Sequence, residues 1–146
     1  MESTDGLLRI DEERWAGFTA LLEAVPSDRR EEPTLNADGW SVRDLLWHVR
    51  CWNTVIAEQL EAIGAGTSVG PFDWNTDANN ERSLAEGRGV DAGTAWRELV
   101  VSRDRSRSAF AALDEVTPEA EELFSETAYK HLDDHLPELR RFAEGA

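Results

Sequence analysis

The chain is poor in the features that would point away from a helical fold. Its 146 residues include 10 glycines and 5 prolines, and few of these fall inside segments with helical periodicity. Strand-like alternation of polar and apolar residues is nearly absent. Composition and pattern therefore predict an all-α fold, and the length suits a single domain spanning residues 1–146.

Cysteine and positive charge are also scarce. The single cysteine, Cys51, excludes an internal disulfide framework. With 15 basic against 30 acidic residues, the net charge of −15 opposes binding to nucleic acid or to anionic lipid. No run approaches the roughly 18 apolar residues of a membrane span, and no signal peptide precedes the first amphipathic segment. We therefore expect a cytoplasmic protein with neither nucleic acid nor membrane as a partner.

Apolar residues at helical spacing predict four long helices. Their approximate bounds are Ser3 to Val25, Ser41 to Gly64 or Gly66, Gly93 to Glu115, and Glu126 to Phe142. A capping box of Ser41 and Asp44 starts the second helix. Thr117 and Pro118 form a cap that starts another short turn or the final helix. Pro137 is expected to kink or restart the last helix. A short extra helix is expected within Asp73 to Glu86, between the second and third long helices.

All three histidines fall on helix faces that should turn toward the core. His131 and His135 are four residues apart, on a face that also holds Phe124, Ala128, Leu139 and Phe142. His48 lies in the second helix. Three imidazoles from two helices can supply three nitrogens to a zinc-like or nickel-like divalent ion and leave positions for water or substrate. On the residues alone, three partly buried histidines that only make hydrogen bonds are an equal alternative.

Other candidates for chemistry lie near these histidines in sequence. Asp134 is a candidate acid or base, although a solvated face explains it as well. Asp44 can orient His48 as a carboxylate partner, but its place in the capping box is the favoured explanation. Thr127 is expected on the floor of a cavity. Cys51 is a candidate fourth ligand or nucleophile, and packing is the favoured explanation for it.

Two further groups are candidates for contact with substrate. The extra-helix segment contains Asn75, Asn79 and Asn80, with Asn75 and Asn79 on one face if it is helical. In the third helix Arg103 and Arg107 interrupt the apolar stripe, which predicts a cavity there and a contact with an anionic substrate group. The alternative is that both arginines extend to the surface.

Two motifs identify a family resemblance. GWSVRDLLWH at Gly39 to His48 and TAYKHLDDHLPELRRF at Thr127 to Phe142 resemble the DinB/YfiT-like superfamily. Within it, the chain is similar to the N-terminal domains of mycothiol-dependent maleylpyruvate isomerases and to the ClbS/DfsB group. The resemblance implies an antiparallel four-helix bundle with a metal ion bound by His48, His131 and His135.

The resemblance also implies an activity. It points to a metal-dependent enzyme that acts on a small electrophile, as a transferase with a mycothiol-type thiol cosubstrate or as a hydrolase with water. The ClbS-like branch implies protection from a reactive small molecule, with less dependence on metal. A bundle that binds a small molecule without turnover, and one used only for dimerisation, are the remaining hypotheses, and a homodimer is compatible with each.

Overall fold

The computed structural model describes residues 4–145, and within that range every regular element is helical, as predicted. The six α-helices are α1 Thr4–Glu23, α2 Val42–Ala65, α3 Thr76–Gly87, α4 Ala92–Ala111, α5 Pro118–Thr127 and α6 Tyr129–Ala143. A single 3-10 turn, Ser27–Arg29, lies between α1 and α2. The proposed cap Ser3 lies outside the described residues. None of the helices in this range has the length and hydropathy needed to cross a bilayer.

Helix α2 is the central element, because it packs against α3, α4 and α5. The predicted capping box is present: the Asp44 backbone N–H donates to Ser41 Oγ at 3.1 Å, and the Ser41 N–H donates to Asp44 Oδ2 at 2.9 Å. Gly66, in the left-handed conformation at φ 73°, caps the other end. Gly64 remains inside the helix, so the helix ends at the second of the two predicted stops.

The core consists of two groups of buried apolar side chains. One contains Phe18, Leu45, Leu99 and Leu139 among others, where α1 packs on α6 and α2 on α4. The other contains Leu7, Ile56, Leu60, Phe110, Ala120, Leu123 and Phe124. The rings of Phe110 and Phe124 stack with their centroids 4.2 Å apart and an angle of 5° between their planes. Full burial of a Leu or Phe side chain stabilises a fold by roughly 1.5–3 kcal/mol, so these contacts fix the helices that hold the site.

The last predicted helix is divided at Ala128. Thr117 caps α5 by accepting from the Ala120 N–H at 3.2 Å, with Pro118 in the first turn, as the sequence indicated. Ala128 then leaves helical geometry, at φ −84° and ψ −106°, and α6 starts at the next residue. Helix α6 runs through Pro137, so the restart predicted at this proline lies at Ala128 instead.

The extra helix is confirmed as α3, and α4 is shorter than predicted. Helix α4 begins at Ala92, after the N-cap Asp91, whose Oδ1 accepts from the Thr94 N–H at 2.8 Å. It ends at Ala111, before the predicted end at Glu115. Ser106 is buried on its inner face.

Candidate metal centre and adjoining cavity

Three histidine side chains converge on one point. The Nε2 of His131 lies 2.9 Å from Nε2 of His48 and 3.1 Å from Nε2 of His135. One candidate ligand atom from each residue lies within 4.8 Å of the others. His131 and His135 share a face of α6 because they are four residues apart, and His48 comes from α2. The structure therefore brings together the three side chains that the sequence singled out.

Burial favours the neutral form of two of these imidazoles, those of His48 and His131. The pKa of His48 is lowered to about 3, mainly by burial; the charge of His135 acts in the same direction, and the charge of Glu138 opposes it. Burial also lowers the pKa of His131 well below its usual value, with the charges of His48 and His135 acting in the same direction. Neutral imidazole is the form that binds metal ions, because its unprotonated nitrogen has a free lone pair.

Glu138 fixes the orientation of His135. His135 Nδ1 donates to Glu138 Oε1 at 2.7 Å, and Glu138 Oε2 accepts from Asn36 Nδ2 at 3.3 Å. In the neutral form of His135 the proton is therefore on Nδ1, and Nε2 is left unprotonated toward His131. Sequence reasoning missed Glu138 and Asn36. The available signal was the position of Glu138 one turn after His135, whereas the contact with Asn36 is long-range.

A cavity of about 560 Å³ adjoins the histidines. Its lining comprises Trp40, His48, Trp52, Trp74, Thr76, Asn80, Glu122, Glu126, Thr127, His131, Asp134 and His135. The ring of Trp40 lies 5.0 Å from that of His48, edge-on. Trp52 and Trp74 lie 5.9 Å apart, and Trp52 Nε1 donates to Asn80 Oδ1 at 2.8 Å. The cavity thus combines aromatic walls with polar groups beside the histidines.

The candidates Asp134 and Thr127 line this cavity, and Asn75 does not. Asn75 is exposed, at φ 43° just before α3, so the expected shared helix face with Asn79 does not form. Asn79 Nδ2 instead donates to the Trp74 carbonyl at 2.8 Å. Asn80 is the asparagine that lines the cavity, because it lies one position further around α3.

Arg103 and Arg107 lie away from this cavity. They line a separate void of about 10 Å³, which has room for about one water molecule. Both bind Asp11 of α1, which is 2% exposed, and Arg103 Nη2 lies 3.2 Å from Asp11 Oδ2. Arg103 also stacks over Trp15 at 4.5 Å. At these arginines the structure therefore shows a small void and an ion cluster with a buried carboxylate, and the larger cavity lies beside the histidines.

The sequence did not single out Asp11. The feature that could have identified it is a carboxylate on the apolar face of the first helix, four residues after Leu7 and four before Trp15.

Asp44 makes the capping-box contacts that were its favoured explanation. Cys51 is buried, burial raises the pKa of its thiol, and it does not line the histidine cavity. His48 Nδ1 has no hydrogen-bond partner within residues 4–145.

Comparisons with known proteins identify the family. The family model described as the mycothiol maleylpyruvate isomerase N-terminal domain matches residues 12–128. The matched segment includes His48 and ends shortly before His131. No curated protein and no solved structure matches the chain. Since the family model covers most of the sequence, the chain belongs to the DinB-like family of mycothiol maleylpyruvate isomerase N-terminal domains.

Proposed function

We propose that the protein is a metal-dependent enzyme that acts on a small electrophile. His48, His131 and His135 would hold a divalent ion, with zinc and nickel the best candidates. The observation that supports this most strongly is the convergence of three imidazole nitrogens beside a cavity of about 560 Å³. A buried cluster of this kind with perturbed pKa values is typical of a functional site.

The donor set fits such an ion. Nitrogens bound at about 2.1 Å to one ion lie about 3.0 Å apart at an angle of about 90° and about 3.4 Å apart at the tetrahedral angle. Two of the three pairs are separated by 2.9 and 3.1 Å, which is close to this range. The third separation is at most 4.8 Å and can close by rotation of the rings. Three protein ligands leave an open position, as in catalytic rather than structural sites. The Glu138 contact with His135 resembles the carboxylate partners that orient metal-binding histidines.

The ion, when bound, would lower the pKa of a thiol or of water and so supply a nucleophile near neutral pH. The protein's own side chains would position the electrophile. Trp40, Trp52 and Trp74 give the cavity apolar walls that exclude water from the body of the substrate. Asp134 lines the same cavity, and its carboxylate is a candidate to take up or return a proton.

The family supports a thiol as cosubstrate, since its name refers to mycothiol. We therefore place thiol transfer ahead of hydrolysis, and we propose detoxification of electrophiles in the cytoplasm, where small thiols stay reduced. The packing of α1 on α6 and of α2 on α4 supports the antiparallel four-helix bundle that the resemblance implied. A homodimer is also part of the proposal.

Thiol consumption tests the activity. Protein loaded with zinc or nickel should accelerate the reaction of mycothiol with small electrophiles such as 1-chloro-2,4-dinitrobenzene above the rate without protein. His131→Ala should abolish that acceleration, and Asp104→Asn, an exposed change on α4, should leave it unchanged. If loaded protein accelerates neither thiol addition nor hydrolysis across a panel of electrophiles, the enzyme proposal is overturned.

A binding protein without turnover is the second candidate, and one observation favours it. Separations of 2.9 and 3.1 Å between ring nitrogens also match hydrogen bonds between neutral imidazoles. The histidines would then be polar contacts for a ligand in the cavity. Under this alternative His131→Ala weakens ligand binding, and neither the native protein nor the variant contains bound metal.

A further inference from the structure

The charges that line the cavity are all of one sign. Glu122, Glu126 and Asp134 line it, and no lysine or arginine in residues 4–145 does. Lys130 pairs with Glu126 at 3.1 Å from outside the lining, whereas Glu122 and Asp134 have no ion-pair partner in the same range. The net charge of −15 on the whole chain also attracts cations and repels anions. A cleft with walls of one sign concentrates the opposite charge, so this cavity attracts cations and repels anions.

The aromatic walls favour the same class of ligand. Among aromatic side chains, tryptophan attracts a cation most strongly over its ring face. Trp52 is held by its hydrogen bond to Asn80, and Trp74 packs edge-on against Phe72, with ring centroids 5.1 Å apart. These contacts fix the two indoles before any ligand arrives, which reduces the entropy lost on binding.

A buried hydroxyl group in the lining is compatible with a polar ligand. Thr127 is 3% exposed and lines the cavity, and its Oγ1 has no hydrogen-bond partner within residues 4–145. Buried hydroxyls are normally paired, and Thr127 lines both this cavity and the small void beside Arg103, so its missing partner is a water molecule in the void or a ligand in the cavity. An ammonium N–H can donate to this oxygen.

We infer that the cavity binds a small organic cation, an amine or ammonium group on an apolar body. The inference rests on the proposed function in taking this cavity as the substrate site. The tryptophans and carboxylates are present with or without a metal ion, so cation binding can be measured separately. A bound divalent ion offsets part of the negative charge, so the preference is strongest in metal-free protein. Carboxylate ligands, maleylpyruvate among them, are disfavoured by the same charges.

Three probes of similar size and different charge test the inference. Benzylammonium, benzyl alcohol and phenylacetate are each titrated into metal-free full-length protein, and the indole N–H signals of the six tryptophans are followed by NMR. Benzylammonium should bind about tenfold more tightly than phenylacetate, with benzyl alcohol between them. Its binding should shift the signals of the cavity tryptophans, and the preference should shrink as salt is added.

Two double variants with equal net charge separate the cavity carboxylates from the charge of the whole protein. Glu122→Gln combined with Asp134→Asn should weaken benzylammonium binding about fivefold to tenfold and leave benzyl alcohol unchanged. Glu23→Gln combined with Asp104→Asn removes two exposed carboxylates outside the cavity lining and should change neither affinity.

Equal affinities for the three probes would overturn the inference, as would equal loss of benzylammonium binding in the two double variants. Metal content measured on the same samples separates this result from the proposed function. Metal binding without a preference for the cation would overturn the inference and leave the metalloenzyme proposal standing. A preference for the cation in protein that binds no metal would support the inference and overturn the metalloenzyme proposal.

Discussion

Nδ1 of His135 lies 2.7 Å from Oε1 of Glu138, one turn further along α6. Because a carboxylate only accepts, Nδ1 carries a proton, and in the neutral imidazole Nε2 then faces His131 as an acceptor. Asn36, from the connection between α1 and α2, holds the other carboxylate oxygen. Glu138 thus selects the histidine nitrogen that faces His131, as carboxylate partners do in metal sites, and the long-range contact with Asn36 holds Glu138 in place.

Replacing Glu138 should weaken metal binding while the fold remains. Glu138→Gln retains an acceptor for His135 Nδ1 and loses the negative charge that makes the imidazole more basic. We expect zinc affinity at pH 7 to fall about tenfold, measured by competition with a chromophoric chelator. Glu144→Gln, at the C-terminal cap of the same helix, is the matched control and should bind zinc like the native protein. Equal affinities for the Glu138 variant and the native protein would contradict this role.

The pair of arginines on Asp11 predicts a large effect on stability. Asp11 is 2% exposed and binds Arg103 and Arg107, so Asp11→Asn leaves two partly buried guanidinium groups without their carboxylate. We expect the free energy of unfolding to fall by about 3 kcal/mol, measured by urea denaturation.

Glu12 provides the comparison. It also contacts Arg103, at 3.0 Å, but its side chain is 59% exposed, so Glu12→Gln should cost less than about 1 kcal/mol. Neither change should alter metal content, since these residues do not line the histidine cavity. A similar loss of stability in the two variants would show that burial of Asp11 does not govern the interaction.

The stability of metal-free protein should depend on pH through the buried histidines. Burial lowers the pKa of His48 to about 3, whereas an exposed histidine titrates near about 6.5. Between these values the unfolded chain binds a proton that the native state excludes. Stability is therefore greatest above about pH 6.5 and falls on acidification by about 1.4 kcal/mol per pH unit for His48. His131, whose pKa is also lowered, adds a loss of the same sign.

Urea unfolding of metal-free protein at pH 7, 6 and 5 measures this slope. His48→Gln removes one of the groups that titrate, so its stability should depend less on pH than that of the native protein. Comparison of slopes is independent of the constant effect of the substitution on stability. Identical slopes would mean that His48 gains no proton on unfolding over this range, contrary to its burial.

The inward faces of the helices were predictable because they follow from local rules. Helical spacing places His48, His131 and His135 on core-facing stripes, and the capping box fixes the start of α2. The extra helix α3 followed from the length and composition of its segment. These features depend on residues within a few positions of one another.

The remaining features depend on contacts between distant residues. Nothing local distinguishes Asn80, which binds Trp52, from Asn75, because the difference lies in where α3 begins. The partner of Arg103 is on α1, far away in sequence, so a polar patch that looked like a cavity is a buried ion cluster. No proline or glycine stands at Ala128 to predict the break there. Pro137, where a break was predicted, lies inside α6.

Metal content is the measurement that tests the central claim most directly. Untagged protein, offered zinc, nickel, manganese and iron in turn and then freed of unbound ions, is analysed by elemental mass spectrometry beside His48→Ala and His131→Ala. The account predicts close to one ion per chain in the native protein and almost none in either variant, with all three folded by circular dichroism. Native protein that retains none of the four metals, or variants that retain as much as the native protein, would contradict it.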